Sequence, residues 1–384
     1  MIIEKERKTQ IAKQCGVLVA GGGIAGIAAA LAAARNGADV LLVERECLLG
    51  GLATLGLITI YLPLCDGNGN QVSFGIAEEL LRLSVKHGAE ALYPSAWLGG
   101  GSIEERKKQR FQVQYNPHLF ALEAERLLLK EGVKILYNTL ICDTVVKDGK
   151  ITHVIIENKG GRSAVEVKSV ADATGDADIC YLSGEKTVTF KQKNVLSAWY
   201  YHEAGGQVKL APLSDNYITE DPKTERTKRR FSGLDGFENS EMLCLSHERI
   251  LKDILKKRET DPSCLPVTLP VIPQVRMTRR IEGVYTMDDK EIGVSFADCI
   301  GAIGDWRKCG PVYELPFSIL YGKKIKNLIT AGRCVSVTDS MWDITRVIPA
   351  CAVTGQAAGT AAAMTDDFAG LDAQKLRSVL RKCR

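Results

Sequence analysis

The sequence predicts an α/β fold, in which a parallel sheet with a β meander is assembled from both ends of the chain, with an α+β cap domain inserted between them. Three observations predict it. A short strand, a glycine-rich turn and an Ala-rich helix open the chain. A similar Val- and Ile-rich pattern returns after Ile292, and the segment between them, from about residue 186 to 286, differs in composition and pattern. A chain of 384 residues is long enough for this arrangement.

Composition and charge narrow the function classes. Apolar residues make up 45% and charged residues 25% of the chain, as in ordinary globular enzymes. The net charge of +4 arises from basic residues interleaved with acidic ones, so we expect no nucleic-acid partner and no membrane insertion. The 12 cysteines form no C-x-x-C pair, which predicts no metal site and reduced thiols in a cytoplasmic protein.

The first predicted element is a βαβ unit. Residues 16–20 read as a buried strand, residues 24–36 as a helix that ends at Gly37, and residues 39–44 as a second strand. The uncharged run at residues 15–34 imitates a membrane span, but three consecutive glycines within it favour strand, turn and helix.

Glycines in a G-x-G-x-x-G spacing join this strand to the helix. Gly21 permits the tight turn, Gly23 lets the backbone approach a pyrophosphate, and Gly26 lets helix and strand pack closely. Ile24 and Ala25 begin the helix, whose N-terminus carries the partial positive charge that favours phosphate. The pattern predicts a dinucleotide-binding site.

An acid follows the second strand. Glu44, beside Arg45, is placed to accept hydrogen bonds from ribose hydroxyls, and a carboxylate there disfavours the 2′-phosphate of NADP. We assign both residues to the dinucleotide site. Proteins that bind NAD and proteins that bind FAD share these features, so later residues must distinguish them.

The remaining elements follow in order. The first part of the chain continues with helices at residues 76–87 and 118–131, a strand at 133–136 and a meander of strands at 144–146, 152–157 and 164–170. The cap domain contains strands at 197–202 and 207–210 and a helix at 246–257, and the returning part contains a strand at 328–332 and a helix at 355–364. The predicted domains are residues 1–185, 186–286 and 287–384.

Four further stretches carry a resemblance to a known family. They are Gly50-Gly51-Leu52-Ala53-Thr54, Ala173-Thr174-Gly175-Asp176, Ala331-Gly332-Arg333-Cys334 and the run from Arg346 to Gly359. With them the chain resembles the FAD-dependent oxidoreductases of the glutathione-reductase-like superfamily, near the fumarate reductase and succinate dehydrogenase flavoproteins. The resemblance implies a Rossmann-like FAD-binding fold and FAD as cofactor. It also implies cofactor contacts at Gly50, Gly51, Ala53, Thr54, Ile141, Ala173, Thr174, Gly175, Gly332, Arg333, Gly355, Gln356 and Ala357.

The resemblance also implies the chemistry. We expect an oxidoreductase or dehydrogenase that transfers a hydride between flavin N5 and a small polar or anionic organic substrate, with a further molecule as electron acceptor or donor. Arg276, Arg279 and Arg346 are the candidate catalytic residues, because guanidinium groups suit carboxylates and serve as proton donors in the fumarate reductase relatives. Many relatives have a histidine where this chain has Asp305-Trp306-Arg307, which leaves His202 as the histidine candidate.

Two alternatives stay open at this point. Reduced FAD could act together with a cysteine nucleophile in sulfur or methyl transfer, and Cys351 and Cys334 are the thiols expected near the flavin. A non-enzymatic flavin-binding protein is the weaker alternative, because it needs no cap domain.

Overall fold

The computed structural model describes residues 8–87, 93–110, 112–215 and 229–382. In chain order the strands are β1 (Ile11–Ala20), β2 (Val40–Val43), β3 (Ile60–Tyr61), β4 (Val113–Gln114), β5 (Lys134–Leu136), β6 (Leu140–Lys147), β7 (Lys150–Asn158), β8 (Gly161–Asp172), β9 (Thr187–Thr189), β10 (Ser197–Ala204), β11 (Gln207–Ser214), β12 (Leu265–Thr268), β13 (Arg279–Ile281), β14 (Cys299–Gly304), β15 (Val312–Pro316) and β16 (Leu328–Thr330). The helices are α1 (Ile24–Arg35), α2 (Ile76–Val85), α3 (Ser95–Leu98), α4 (Ile103–Lys108), α5 (Pro117–Lys130), α6 (Asp178–Leu182), α7 (Gly236–Thr260), α8 (Asp339–Thr345), α9 (Ile348–Met364) and α10 (Ala373–Lys382).

A seven-stranded sheet is the centre of the fold. Its order is β5-β2-β1-β8-β7-β6, and β16 pairs with β8. Strand β1 runs parallel to β2 and β8, while β6, β7 and β8 form an antiparallel meander. Strand β16 joins β8 in parallel, with Leu328 opposite Val170. The predicted α/β class, the meander and the return of the C-terminal part into the sheet are therefore confirmed.

Strand β1 divides the core into two layers. Val17 and Val19 belong to one hydrophobic cluster together with α1 and α9, whereas Leu18 and Ala20 belong to the cluster on the opposite face. This follows from the alternation of side chains along a strand, and it explains why the strand reads as a continuous apolar run. The run that imitates a membrane span is thus a strand and a helix that both lie in the protein core.

Helices α1 and α9 pack with their backbones in contact. Gly355 and Gly359 of α9 face the carbonyl oxygens of Ala25 and Ala29 of α1, and a Cβ atom at either glycine would overlap those oxygens. Every residue of α1 from Ile24 to Ala33 is buried, which is possible because the helix carries only small or apolar side chains there.

The inserted segment, residues 186–286, forms its own small layer. Strands β11, β10 and β12 make an antiparallel sheet in that order, and α7 packs on one face of it through Ile250 and Ile254. This is the α+β insertion that the sequence predicts, although the division into three domains stays a prediction.

The stretches of chain that enter and leave this segment, residues 187–194 and 274–281, run side by side. Strand β9 pairs with β13, and the side chain of Asn194 holds the Arg276 and Met277 amides with its Oδ1 at 2.8 and 3.1 Å. Gln274 donates from Nε2 to the Gly56 carbonyl at 2.7 Å, while its Oε1 accepts from the Trp199 amide at 2.8 Å. The inserted segment is therefore fastened to the first part of the chain by buried amide side chains.

Among the element boundaries that differ from the prediction, three have a clear local cause. Helix α7 begins ten residues earlier than residue 246, because Asp235 caps it by accepting from the Glu238 amide at 2.8 Å. Helix α9 begins at Ile348 rather than 355, with Pro349 in its first turn, where the missing N–H has no cost. Strand β16 ends at Thr330, since Gly332 turns away with a φ of +67°.

Within the described ranges, no single helix has the length and apolar character needed to cross a membrane. Only α8 and α9 counted as one segment have that length and apolar character, and the chain bends by 90° between them.

Replacing Gly359 by alanine should lower the free energy of unfolding by about 1–3 kcal/mol, because the new Cβ overlaps the backbone of the buried helix α1. Urea titration followed by circular dichroism measures it. Gly236→Ala is the matched control: a Cβ there meets nothing within 4 Å, so its change should stay within about 1 kcal/mol and favour stability. Equal effects of the two substitutions would contradict the close packing of α1 and α9.

Candidate functional site

A cavity of about 820 Å³ lies at the carboxyl ends of the parallel strands β1, β2, β8 and β16. This is the edge where open α/β sheets bind ligands. The predicted site residues that line it are Gly21, Gly23, Ile24, Ala25, Glu44, Arg45, Gly50, Gly51, Ala53, Ile141, Ala173, Thr174, Gly175, Arg276, Gly332, Arg333 and Arg346. The cavity extends from these loops to the inserted segment.

The first glycine turn is built as its spacing predicts. Gly21 has a φ of +94° and donates its N–H to the Val43 carbonyl at 2.8 Å, and a Cβ on it would lie 2.7 Å from the Ala173 carbonyl oxygen. Gly26 does not line the cavity; a Cβ there would overlap the Gly21 carbonyl oxygen, so its role is helix–strand packing. A Cβ on Gly23 would meet nothing within 4 Å, because Gly23 faces the cavity.

The N-terminus of α1 points into the cavity without a side-chain cap. Gly23 is the N-cap residue, no side chain accepts from the first turn, and that turn contains no acid. The leading amides of a helix have no partner within it, so the N–H groups of Ile24 and Ala25 and the helix dipole are directed at the cavity. This arrangement fits an anionic phosphate.

Glu44 is held at the cavity wall by two backbone amides. Its Oε2 accepts from Gly22 at 2.5 Å and its Oε1 from Glu46 at 2.9 Å. Burial raises the pKa of the carboxyl group, and the two amides work in the opposite direction. Neighbouring Arg45 also lines the cavity, with its side chain half exposed beside Glu46.

A second glycine turn supports the first. Gly50 and Gly51 have φ values of +103° and +54°, and the Gly50 amide donates to the Gly22 carbonyl at 2.8 Å. Thr54 lies beneath this turn and donates from Oγ1 to the Leu49 carbonyl at 2.5 Å, so it does not line the cavity. In the structure Thr54 supports the turn, and its contact with the cofactor stays a prediction.

Arg333 ties the remaining turns to the inserted segment. Its Nη1 donates to the carbonyls of Val275 at 2.7 Å and Arg276 at 3.1 Å, and its Nη2 lies 3.4 Å from Asp176 Oδ1. A Cβ on Gly175 would lie within 3 Å of the guanidinium group. Arg333 therefore borders the cavity while its cationic group joins three pieces of chain.

Helix α9 also begins at the cavity, but with different residues from those predicted. Val347, its N-cap residue, lines the cavity together with Ile348 and Cys351. The helix has no side-chain cap, so a second helix dipole is directed at the same cavity.

Gly355, Gln356 and Ala357 lie one turn deeper and do not line the cavity. Gly355 packs against α1, Gln356 accepts the Ile76 amide on Oε1 at 2.9 Å, and Ala357 is fully buried in the core. These positions serve helix packing in the structure, and their contact with the cofactor stays a prediction.

Two arginine–tryptophan pairs line the cavity. The Arg276 guanidinium lies over the Trp199 ring at 5.4 Å from its centroid, and the Arg346 guanidinium lies over Trp306 at 5.9 Å. Asp343 holds Arg346 through contacts of 3.0 Å to Nε and 2.5 Å to Nη2. Indole faces and a carboxylate thus fix the direction of these cationic groups.

Arg279 is not part of this wall. It donates from Nε to the Asp176 carbonyl at 2.9 Å and from Nη2 to Asp178 Oδ1 at 2.6 Å, and it stacks on Tyr181 at 4.3 Å. Arg279 itself does not line the cavity, but its guanidinium contacts Asp176 and Asp178, which do, and its candidate catalytic role stays a prediction.

His202 is likewise placed elsewhere. It is buried between β10 and its neighbours, with Nδ1 at 3.5 Å from Cys264 Sγ and its ring 5.7 Å from that of Tyr200. Burial lowers the pKa of the imidazole. His202 belongs to the inner part of the inserted segment and does not reach the cavity.

Two aspartates form an acidic part of the wall beside Gly175. Asp176 accepts from the Thr278 hydroxyl at 2.6 Å, and Asp178 is the partner of Arg279. Burial, with Asp176 and Asp172 nearby, raises the pKa of Asp178 to about 6. In the parts of the chain that the structure describes, no three His, Cys, Asp or Glu side chains come together as metal ligands would.

Several cavity residues were not identified from the sequence. Those that the inserted segment contributes besides Arg276 are Val195, Ser197, Trp199, Ser214, Asp215, Gly233, Asn239, Val271, Ile272, Pro273 and Val275. Strand alternation gave a usable signal for β10: Ser197 and Trp199 share one face, opposite the face that packs on α7. No pattern in the sequence around Trp306 predicts that its side chain lines the cavity.

The model of the FAD dependent oxidoreductase family matches residues 16–198 and 227–380. No curated protein matches the chain. The solved structures include a geranylgeranyl bacteriochlorophyll reductase-like protein from Thermoplasma acidophilum at 15% identity and a TM-score of 0.47, covering 96% of this chain and 84% of that one.

Two further solved structures are similar in the same degree. A 3-ketosteroid-Δ4-(5α)-dehydrogenase from Rhodococcus jostii has 16% identity, a TM-score of 0.44 and coverage of 92% and 98% of the two chains. A flavocytochrome c3 fumarate reductase has 15% identity, a TM-score of 0.42 and coverage of 92% and 79%. At these values the structural likenesses carry no argument about activity.

Gly23→Val should abolish FAD binding without loss of the fold. Gly23 has a φ of −67°, which valine adopts readily, and its Cβ direction is open, so only a ligand that approaches the backbone is excluded. The wild-type protein should be yellow and should release FAD, not FMN, on heating. The variant should be colourless with a thermal midpoint equal to that of the wild-type apoprotein; a yellow variant would contradict the placement of the pyrophosphate.

Proposed function

Because the chain belongs to the FAD dependent oxidoreductase family and is an enzyme with FAD as its cofactor, we propose that it transfers a hydride between flavin N5 and an anionic organic substrate. A further molecule accepts or supplies the electrons in the other half of the cycle. One observation carries the proposal: Arg276 and Arg346 line the same cavity as the dinucleotide-binding turns.

The residues present fit FAD. The uncapped amides of Ile24 and Ala25 would hold the pyrophosphate, Glu44 would accept from the ribose hydroxyls, and Ile141 would contact the adenine. The first turn of α9, beginning at Val347, would face the flavin ring. When bound, FAD supplies a two-electron centre that takes or gives a hydride at N5.

The substrate side is a wall of fixed cationic groups. A guanidinium group held over an indole ring offers its remaining donors in one plane, which suits a carboxylate. Arg276 comes from the inserted segment and Arg346 from the C-terminal end of α8, so an acid between them would be held where the two parts of the chain meet. Enclosure by these parts reduces the water that competes for the same contacts.

A proton accompanies the hydride, and the cavity offers a group for it. Among the described lining residues of the inserted segment, Asp215 is the one with a carboxylate. Its side chain is 5% exposed, and its Oδ1 accepts from Arg249 at 2.7 Å. We assign Asp215 as the group that takes the proton from an alcohol or amine, or returns it in the opposite direction.

Arg276→Gln and Arg346→Gln should each leave the FAD content unchanged. Each should weaken the binding of the acidic substrate by about 1.5–3 kcal/mol, the usual value of a hydrogen bond to a charged group. Two measurements check this. In the absence of oxygen, the loss of flavin absorbance reports reduction by hydroxy acids and amino acids, and its return reports reoxidation of the chemically reduced enzyme by enoates. Sugars serve as uncharged comparators.

Arg279→Gln is the matched control for this experiment. Its guanidinium does not itself line the cavity but pairs with Asp178, which does, so the variant should lose stability and keep an affinity for the acid much closer to the wild-type value than the Arg276 and Arg346 variants do. If the Arg276 and Arg346 variants behaved like Arg279→Gln, or if no acid exchanged electrons with the flavin, the proposal would be wrong.

The cysteine-based alternative finds little support in the geometry. Cys351 donates from Sγ to the Arg346 carbonyl at 3.3 Å, and burial raises the pKa of its thiol to about 12. Cys334 is fully buried, does not line the cavity, and burial raises its thiol pKa well above the ordinary value. Burial thus shifts both thiol pKa values away from the range in which a thiolate nucleophile forms readily.

Cys351→Ala should accordingly keep full flavin reduction by substrate. In the wild-type protein, iodoacetamide at neutral pH should modify the exposed Cys47, Cys244 and Cys309 quickly and Cys351 slowly, as peptide mass spectrometry of timed samples would show. Rapid alkylation of Cys351 together with loss of turnover would restore the alternative.

A further inference from the structure

Two serine hydroxyls and an indole N–H form a hydrogen-bonded group on the cavity wall. Ser197 of β10 lies directly opposite Ser214 of β11, so the two side chains project from the same face of the sheet. Their Oγ atoms are 2.9 Å apart, and Trp199 donates from Nε1 to Ser214 Oγ at 2.7 Å. All three residues line the cavity, and Ser197 is 2% exposed.

This group has one hydrogen more than it bonds internally. An indole N–H only donates, and each hydroxyl brings a hydrogen of its own. The bond from Trp199 uses the indole hydrogen, and the bond between the hydroxyls uses one of theirs, whichever serine donates it. Within the described part of the chain, neither hydroxyl has a further hydrogen-bond partner. The last hydroxyl hydrogen is therefore left over on a residue that lines the cavity.

Trp199 sets the position of this donor relative to Arg276. The Arg276 guanidinium lies over the face of the indole, 5.4 Å from the ring centroid, while the hydroxyl pair is bonded at the edge of the ring. The Gln274 side chain holds the Trp199 backbone, since it accepts from the amide at 2.8 Å and donates to the carbonyl at 3.0 Å. A cationic group and a hydroxyl donor are thus arranged around the same indole ring.

A ligand bound beside this ring has to supply an acceptor for the remaining hydrogen, because a buried donor without a partner opposes binding. A hydroxyl or carbonyl oxygen has lone pairs that accept it. An ammonium group has none, and it would also lie near a guanidinium group of the same charge. The wall therefore favours a substrate oxygen over a substrate ammonium group.

We propose that the substrate is a hydroxy acid, or in the opposite direction the corresponding oxo acid, and that the Ser197–Ser214 pair donates its remaining hydrogen to the hydroxyl or carbonyl oxygen. The inference rests on the proposed function, which places the acid group at Arg276 and Arg346. In the oxidation the C–H bond gives a hydride to flavin N5, the O–H bond gives its proton to the base assigned above, and a C=O bond forms. The oxygen accepts from the serine pair in both forms.

The test compares acids that share a carbon skeleton and differ in one group. The probes are pyruvate, alanine and propanoate; oxoglutarate, glutamate and glutarate; and phenylpyruvate, phenylalanine and phenylpropanoate. Isothermal titration calorimetry measures their binding to the oxidised, FAD-loaded enzyme. For the skeleton that fits the cavity, the oxo acid should bind about three- to tenfold more tightly than the unsubstituted acid, and the amino acid should bind more weakly than both.

Electron exchange checks the same preference. In the absence of oxygen, the hydroxy acid of the skeleton that fits (lactate, hydroxyglutarate or phenyllactate) should reduce the flavin, or the oxo acid should reoxidise the chemically reduced enzyme. The amino acid should do neither. The change of flavin absorbance measures each reaction.

The double variant Ser197→Ala/Ser214→Ala removes both hydroxyls. Its oxo-acid preference should fall close to one, while its affinity for the unsubstituted acid should stay within about twofold of the wild-type value. Ser197→Ala alone should keep most of the preference, because Ser214 retains a hydrogen of its own. Ser246→Ala is the matched control: this buried serine of α7 does not line the cavity, so the full preference should persist. Thermal melts check that the variants fold.

The outcomes separate the oxygen from the acid group. This inference is overturned, and acid recognition left standing, by equal binding of oxo and unsubstituted acids for every skeleton, by tighter binding of the amino acid, or by an unchanged preference in the double variant. Binding of none of the acids, or binding that Arg276→Gln and Arg346→Gln leave unchanged, overturns the proposed function and this inference with it.

Discussion

The contact between α1 and α9 is the constraint on which the rest of the structure depends. Where Gly355 and Gly359 meet Ala25 and Ala29 there is no space for a side chain, so the two helices come as close as their backbones allow. Both helices begin at the same cavity, one at Gly23 and the other at Val347, and neither has a side-chain cap. The positive ends of two helix dipoles are thereby directed at one cavity. This suits an anionic cofactor that is bound by both helix N-termini.

A second constraint fixes the opposite wall. Asn194 and Gln274 satisfy backbone groups at the crossings into the inserted segment, and Arg333 joins those crossings to the turn at Gly175. Buried polar side chains of this kind hold one arrangement because an unmade hydrogen bond in the interior is costly. The distance between the cationic wall and the dinucleotide turns is therefore set by the fold itself and does not wait for a ligand.

Local pattern was enough to predict the sheet, the glycine turn and the position of Glu44, because each depends on residues close together in sequence. It failed where the same residue type serves two purposes. Gly355 belongs to the helix that resembles the family's flavin-facing helix, yet it is a glycine here because α1 lies against it. Arg279 and His202 do not line the cavity, and no local pattern shows this because their partners, Asp178 with Tyr181 and Cys264, are remote in sequence. Trp306 reaches the cavity only through long-range folding, which no local pattern shows.

The place of β16 has a consequence for the order in which the protein is made. Strand β16 pairs with β8, Leu328 opposite Val170, and α9 packs on α1, so the last part of the chain meets elements that are synthesised long before it. Until that part leaves the ribosome, α1 lacks the cover that α9 gives it, and the cavity lacks the wall that begins at Val347. We therefore expect FAD to bind only after α9 has left the ribosome, because one wall of the cavity is missing until then.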